Sequence, residues 1–345
     1  MERTIYHFEQ CEGLADDASQ TPRDSGPPPG RAEAVRVGVI LNRRSHQNTA
    51  ETREFEDRSN VSIACPDTRL GIAHELARFA EAGIDLLVIS GGDGTVRDVL
   101  TMGQQVFGRN WPRIAVLPKG KTNALNVDLG SPSDWTLAQA IEAYSKGRTV
   151  RRRPLAVRAR DSGDPAMLGF IFGAGSFTLG VDAGQDAHKI GFFNSLAVGM
   201  TSAWGVLQAL FGSNSNRWRR GAAMELAYLP SGEPMPRSPH GNPSRRNVML
   251  ASTLKTMPLG IKLFGKGQDG IRLLVLDHPL RRILFSAPAI LAGWHPRWLA
   301  AAGMHHFSAE GFAITLDSHF ILDGEHFAPG SYTVEQGPEL TFVAG

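Results

Sequence analysis

The chain has 345 residues, enough for two ordinary domains at roughly 150 residues each. Hydrophobic residues make up 42% and charged residues 20%, with a formal net charge of +2, which excludes a disordered chain and a polybasic nucleic-acid binder. Two cysteines, Cys11 and Cys65, cannot build a disulfide framework and form no CxxC pair for zinc, so a reducing compartment is expected. Residues 1–33 carry seven acids against three bases, run through SQTPRDSGPPPGRAEA and read as a flexible leader. MERTIYHFEQ has no basic region followed by an apolar run, as a secretory signal needs. No stretch of ~18 apolar residues is available to span a bilayer.

Order is expected from about Val35. VRVGVIL (35–41), VSIA (61–64), IDLLVIS (84–90) and RIAVL (113–117) are short apolar runs of the kind that form buried parallel strands. Between them, Leu70, Ala73, Leu76, Ala77 and Ala80 share one helical face, with Gly83 placed to stop it. Leu137, Ala140, Ile141 and Tyr144 repeat the pattern up to Gly147. This alternation predicts a doubly wound parallel sheet over 34–150. From Arg151 the texture changes to short strand-like runs separated by Gly, Pro and Asn, with helical periodicity confined to 186–212. A mainly antiparallel second domain is predicted over 151–345, its last strands free to pack back on the first.

Gly91-Gly92-Asp93-Gly94-Thr95 follows a buried strand and precedes a helical segment containing Val96, Val99, Leu100 and Val106. Glycines permit close approach of backbone amides to an anion, and the helix N-terminus adds partial positive charge. Asp93 in such a turn needs a cation or a hydrogen-bond donor, and a nucleotide–Mg²⁺ complex supplies the cation. A tight strand-to-helix turn with an N-capping residue is the structural alternative. A second turn, Leu117-Pro118-Lys119-Gly120-Lys121-Thr122-Asn123-Ala124, follows the next strand. It is not a Walker A loop, because Ala115 stands where that motif requires glycine. Both turns fall at the carboxyl ends of strands, where ligands bind in such sheets. Lys119 and Lys121 are either phosphate contacts or solvated surface residues.

ILNRRS (40–45), GGDGT (91–95), LPKGKTNAL (117–125) and Leu322-Asp323-Gly324-Glu325, in this order, resemble the diacylglycerol kinase catalytic-domain family, which includes sphingosine and ceramide kinases. The resemblance runs from about Val35 to the end. It implies a Rossmann-like nucleotide domain followed by a β-sandwich lipid domain, with ATP in the cleft between them. It also implies nucleotide contacts from Asn42, Gly91, Gly92, Asp93, Gly94, Thr95, Gly120, Lys121, Thr122 and Asn123. Glu325 then serves as catalytic base, Asp323 orients or contacts Mg²⁺, and Asp93 organises the metal–phosphate side. Asp182 matches a position that meets the acceptor headgroup in sphingolipid relatives. Asp269, in Gly265-Lys266-Gly267-Gln268-Asp269-Gly270, matches a structural Mg²⁺ ligand of bacterial lipid kinases, with carbonyls of Lys266 and Ile271; a plain turn explains it equally. Asp323-Gly324 also suits a type I′-like hairpin turn, compatible with catalysis. Departures are Lys121 where the family has threonine, Ala124 for a common aspartate, and Arg153-Pro154-Leu155 where an aspartate usually stands.

The segment FFNSLAVGMTSAWGVLQALF (192–211), followed by Arg217, Trp218, Arg219 and Arg220, is expected either to rest at a membrane interface or to be a core helix. RRILFSAPAILAGWHPRW (281–298) is a second such segment. No spacing among the eleven histidines forms a helical metal pair. The expected activity is ATP- and Mg²⁺-dependent phosphorylation of a neutral membrane lipid, of diacylglycerol, ceramide or sphingoid type, by a cytoplasmic protein peripheral to the inner face of the membrane. No nucleic-acid partner is expected, and a homodimer is left open. The alternatives are a soluble-metabolite kinase of the NAD kinase type and an inactive nucleotide- or lipid-binding regulator.

Overall fold

Apolar runs bounded by polar residues become buried strands when helices cover both faces. In the computed structural model, which describes residues 35–42, 58–189, 213, 216–265 and 269–345, four such runs pair in parallel. They are β1 (Val37–Leu41), β2 (Val61–Ala64), β3 (Leu86–Gly91) and β4 (Arg113–Pro118), in the order β2-β1-β3-β4. Their side chains alternate between two cores. Leu87, Ile89, Ile114 and Val116 pack with α1 (Arg69–Glu81), α2 (Asp93–Phe107) and α3 (Ala124–Leu129). Leu86, Val88, Ala115 and Leu117 pack with α4 (Leu137–Ser145). Local chemistry sets the helix starts: Thr68 accepts from the Gly71 amide, and Thr136 with Gln139 forms a capping box. The sheet continues through β5 (Thr149–Arg152).

Beyond β5 the chain forms β6 (Leu155–Ala159), β7 (Met167–Gly169), β8 (Ile171–Gly175) and α5 (Ser176–Lys189). After α6 (Arg217–Arg220) come β9 (Ala222–Leu229), β10 (Arg245–Arg246), β11 (Val248–Ser252) and β12 (Ile271–Leu276). Then follow α7 (Arg281–Leu291), α8 (Trp298–Ala301), β13 (Met304–Ala309), β14 (Gly311–Leu316), β15 (Phe320–Leu322), β16 (Glu325–Phe327), β17 (Gly330–Gln336) and β18 (Leu340–Val343). Two antiparallel sheets, β10-β9-β14-β17-β6-β7 and β13-β12-β11-β8-β15-β16, enclose a core that includes Phe172, Phe312, Phe320 and Val334. β18 returns to the parallel sheet, between β4 and β5.

One difference from the sequence reading has a physical cause: MLGFIFGA is two strands, because the chain switches sheets at Phe170. Residues 281–301, a segment for which a helix is one of the two expectations, contain α7 and α8, although helical periodicity is faint there. Only Ile283 and Ile290 of α7 are buried, while the outward side also carries apolar Phe285, so the polar–apolar contrast is lost. Leu168, Phe170 and Leu254 of the second half join the core containing Val99, Leu125 and Phe342, which ties the two halves together. The leader, Arg43–Ser45, segment 192–211 and Lys266 lie outside the described residues.

Candidate active site

The two glycine-containing turns meet backbone to backbone. β3 ends at Gly91 and α2 begins at Asp93, so Asp93, Gly94 and Thr95 are wound into the first helical turn rather than preceding it. A Cβ on Gly120 would stand 2.5 Å from the Gly92 Cα, and one on Gly91 would stand 2.6 Å from the Thr95 Cβ. Only glycine permits this approach. The Lys119 amide donates to the Gly91 carbonyl at 3.1 Å. Asn123 adopts the left-handed conformation (φ 48°) and closes its own turn: Oδ1 accepts from the Gly120 amide at 2.8 Å, and Nδ2 donates to the Gly120 carbonyl at 2.9 Å. Its side chain shapes the turn, while Lys121 and Thr122 are exposed on it. Asn42, at the end of β1, donates from Nδ2 to Thr95 Oγ1 at 2.8 Å. Beside this pair a cavity of about 340 Å³ is lined by Asn42, Thr95, Asp67, Thr68, Arg69 and Asp98, among others.

Asp93 links the two turns through its carboxylate, which accepts from the backbone amides of Ala124, Leu125 and Asn123 at the start of α3. Burial nevertheless raises its pKa above the ordinary value, outweighing those hydrogen bonds. Opposite it stands Asp323. β15 and β16 pair with Leu322 facing Glu325, and the two residues between, Asp323 and Gly324, both have positive φ (47° and 83°). This is the type I′ arrangement, in which the first turn residue is usually Asn, Asp or Gly. Asp323 Oδ1 accepts from the Ile171 amide at 2.9 Å, and both its oxygens lie within 3.1 Å of the Phe170 amide. Phe170 is the corner between the sheets, so the switch point fixes the carboxylate. Burial first, and the charge of Asp93 second, push the Asp323 pKa up to about 7, against backbone hydrogen bonds and the Arg97 guanidinium.

Glu325 is half-buried, and its Oε1 would lie 3.9 Å from a Cβ placed on Gly94. The carboxylates of the hairpin therefore face the first turn of α2. Arg97, one helical turn beyond Asp93 and 1% exposed, holds this closure. Its Nη1 donates to the Leu322 carbonyl at 3.2 Å, its Nε and Nη2 to Asp98 Oδ1 at 3.1 and 2.9 Å, and Phe327 lies 5.8 Å from the guanidinium. Arg69 Nε donates to the same Asp98 oxygen at 3.2 Å. Sequence reasoning missed Arg97; the signal was an arginine one turn after Asp93, on the helix side that also carries Leu100 and Phe107. It missed His326 as well. Asp182, on α5, places Oδ1 2.8 Å from His326 Nε2, adjacent to Glu325.

Asp93 and Asp323 are the candidate holders of a divalent cation. The two carboxylates are close enough that the charge of Asp93 already penalises that of Asp323, which a cation between them would relieve. Asp269 is not part of this constellation. It precedes β12, near the opposite edge of the β15 sheet; its side chain is exposed and its carbonyl accepts from Ser308 Oγ. Among the described residues, no group of three or more His, Cys, Asp or Glu could hold a metal ion. His305 is paired with buried Asp277 at 2.9 Å, and His306 with the Leu263 carbonyl at 3.1 Å.

Residues 36–155 match the diacylglycerol kinase catalytic domain. The match includes Asn42 and both glycine turns; the Asp323–Glu325 hairpin lies beyond it. No curated protein matches the chain. Among solved structures, a candidate diacylglycerol kinase from Bacillus anthracis str. Sterne aligns with TM-score 0.60 and 14% identity, covering 90% of this chain and 97% of that one. A diacylglycerol kinase from the same organism aligns with TM-score 0.57 and 13% identity over the same shares. At these identities, what is shared is the fold.

Proposed function

Residues 36–155 belong to the diacylglycerol kinase catalytic-domain family, and from that premise we propose that the protein is an ATP-dependent lipid kinase. It transfers the γ-phosphate to the primary hydroxyl of a neutral membrane lipid of diacylglycerol, ceramide or sphingoid type. The observation that carries this reading is the approach of Glu325 and Asp323, from the antiparallel half, to the first turn of α2 in the parallel-sheet half. Nucleotide phosphates meet positive helix dipole and backbone amides there, and acidic groups stand across from them.

A lipid hydroxyl attacks phosphorus poorly until a positioned base shares its proton. Glu325 takes this role, because its carboxylate is reachable and lies over Gly94. Asp323 is pinned inward by two amides, so it organises charge rather than collecting a proton from the acceptor. Mg²⁺ held by Asp93 and Asp323 would neutralise charge on the transferring phosphoryl group. Gly91, Gly92, Gly94 and Gly120 keep the phosphate side open to backbone, while Asn42 and Thr95 border the cavity for the rest of the nucleotide. Asp182, through its contact with His326, is the acceptor-headgroup residue. Asp269 is the proposed structural Mg²⁺ ligand, separate from catalysis.

Incubation with Mg²⁺, labelled ATP and separate lipid classes tests the reading. Label is expected in one neutral lipid class. Label in NAD alone would establish the soluble-metabolite alternative, and ATP binding without transfer to any acceptor would establish the regulator.

A further inference from the structure

Six large hydrophobic side chains are exposed among the described residues. Leu70 and Val127 lie on the parallel-sheet half, whereas Leu259, Phe285, Leu291 and Trp294 fall in two segments of the antiparallel half. Those two segments form one surface. The Lys262 amide donates to the Leu291 carbonyl at 2.9 Å, and a Cβ on Gly293 would lie 2.9 Å from the Lys262 side chain. The Trp294 amide donates back to Ala289 at 2.9 Å, which folds the loop after α7 onto the helix end. Trp294 meets Trp298 edge to face at 6.1 Å, and the Arg282 guanidinium lies 5.0 Å from the Trp298 ring.

Packing accounts for only one side of α7. Ile283 and Ile290 pack against Leu274, Leu276 and Met304 on the outer face of the second sheet. Phe285, Pro288, Ala289 and Ala292 face the other way and are exposed. Charge identifies the occupant. Residues 256–265 and 279–301 contain Lys262, Arg281, Arg282 and Arg297 and no acid. A second copy docking here by two-fold symmetry would set those bases against themselves. An anionic lipid surface complements them, and tryptophan beside arginine is the side-chain pairing of the membrane interface.

We propose that the outer face of α7, with the turn around Leu259 and the loop carrying Trp294, docks the protein onto the surface of an anionic bilayer. α7 has 11 residues, and no described helix is long and apolar enough to cross a membrane, so the contact is interfacial. The inference rests on the lipid-kinase reading for its purpose, since it names the surface that meets the substrate's membrane.

Sedimentation of the full chain with phosphatidylcholine vesicles, with or without about one-third phosphatidylserine, reads docking without turnover. Binding is expected only to the anionic vesicles and should weaken with salt. Phe285→Ser with Trp294→Ser should lower partitioning ~10-fold or more at an unchanged melting temperature. Arg281→Gln with Arg282→Gln should lower it ~25-fold at low salt, at ~5-fold per base. Wild-type partitioning by either double variant would overturn the proposal. So would a Phe285→Ser, Trp294→Ser protein that dissociates from a dimer or melts earlier, because another surface would then cover the face. Labelling of a short-chain acceptor dissolved as monomers separates the two readings. Transfer without vesicle binding overturns docking alone, and vesicle binding without transfer to any lipid overturns the kinase alone.

Discussion

Replacing Asp323 by Asn tests whether two carboxylates are held together for charge rather than for stability. Burial and Asp93 lift the Asp323 pKa from 3.8 to about 7, which is worth about 4 kcal/mol at ~1.4 kcal/mol per tenfold in proton affinity. The native state binds this proton more tightly than the unfolded chain does. The associated stability is therefore complete below about pH 4 and is lost progressively as the pH rises to about 7. Asparagine is neutral throughout and keeps an oxygen for the Phe170 and Ile171 amides. Urea unfolding of both proteins between about pH 5 and pH 8 should show the variant gaining on the wild type, from roughly 1–2 kcal/mol to about 4 kcal/mol. Phosphoryl transfer should fall by ~10²-fold or more in the same variant. An Asp323→Asn protein with the wild-type dependence of stability on pH, or with wild-type transfer, would refute the reasoning.

The remaining predictions concern neighbouring parts. Arg97→Met leaves the Leu322 carbonyl without its buried donor and Asp98 with Arg69 alone, and should cost about 3 kcal/mol in urea unfolding. Because Arg97 also holds the Asp323 pKa down, the acidic limb of the rate profile should move to higher pH in that variant. Gly120→Ala forces the two turns apart and should weaken ATP binding by calorimetry at least ~10-fold, with little effect on lipid affinity. A Cβ on Gly169 would sit 2.7 Å from Asp323 Oδ2, so Gly169→Ala should lower turnover while ATP affinity is retained. Glu325→Gln should lose ~10²–10⁴-fold in turnover at an unchanged melting temperature.

Local chemistry made part of this architecture readable. Buried parallel strands announce themselves as short apolar runs, and Gly83 and Gly147 mark helix ends. Asp323-Gly324 carries its turn type in its composition. What escaped was long-range. Nothing near Phe170 in the chain says that its amide will hold a carboxylate 153 residues later. Arg97 reads as a surface arginine until the hairpin carbonyl at Leu322 closes over it. Asp93 was legible as functional from its glycine neighbours, but its bonds to the amides of 123–125 depend on how two loops stack. α7 was faint because one side faces the sheet and the other is apolar as well.

Mass spectrometry of a mixed membrane lipid extract incubated with the protein, ATP and Mg²⁺ tests the central claim most directly. A phosphomonoester of one neutral lipid class should accumulate with the wild type and be absent with Glu325→Gln. ATP consumption with no lipid gaining phosphate, or equal product from Glu325→Gln, would contradict it.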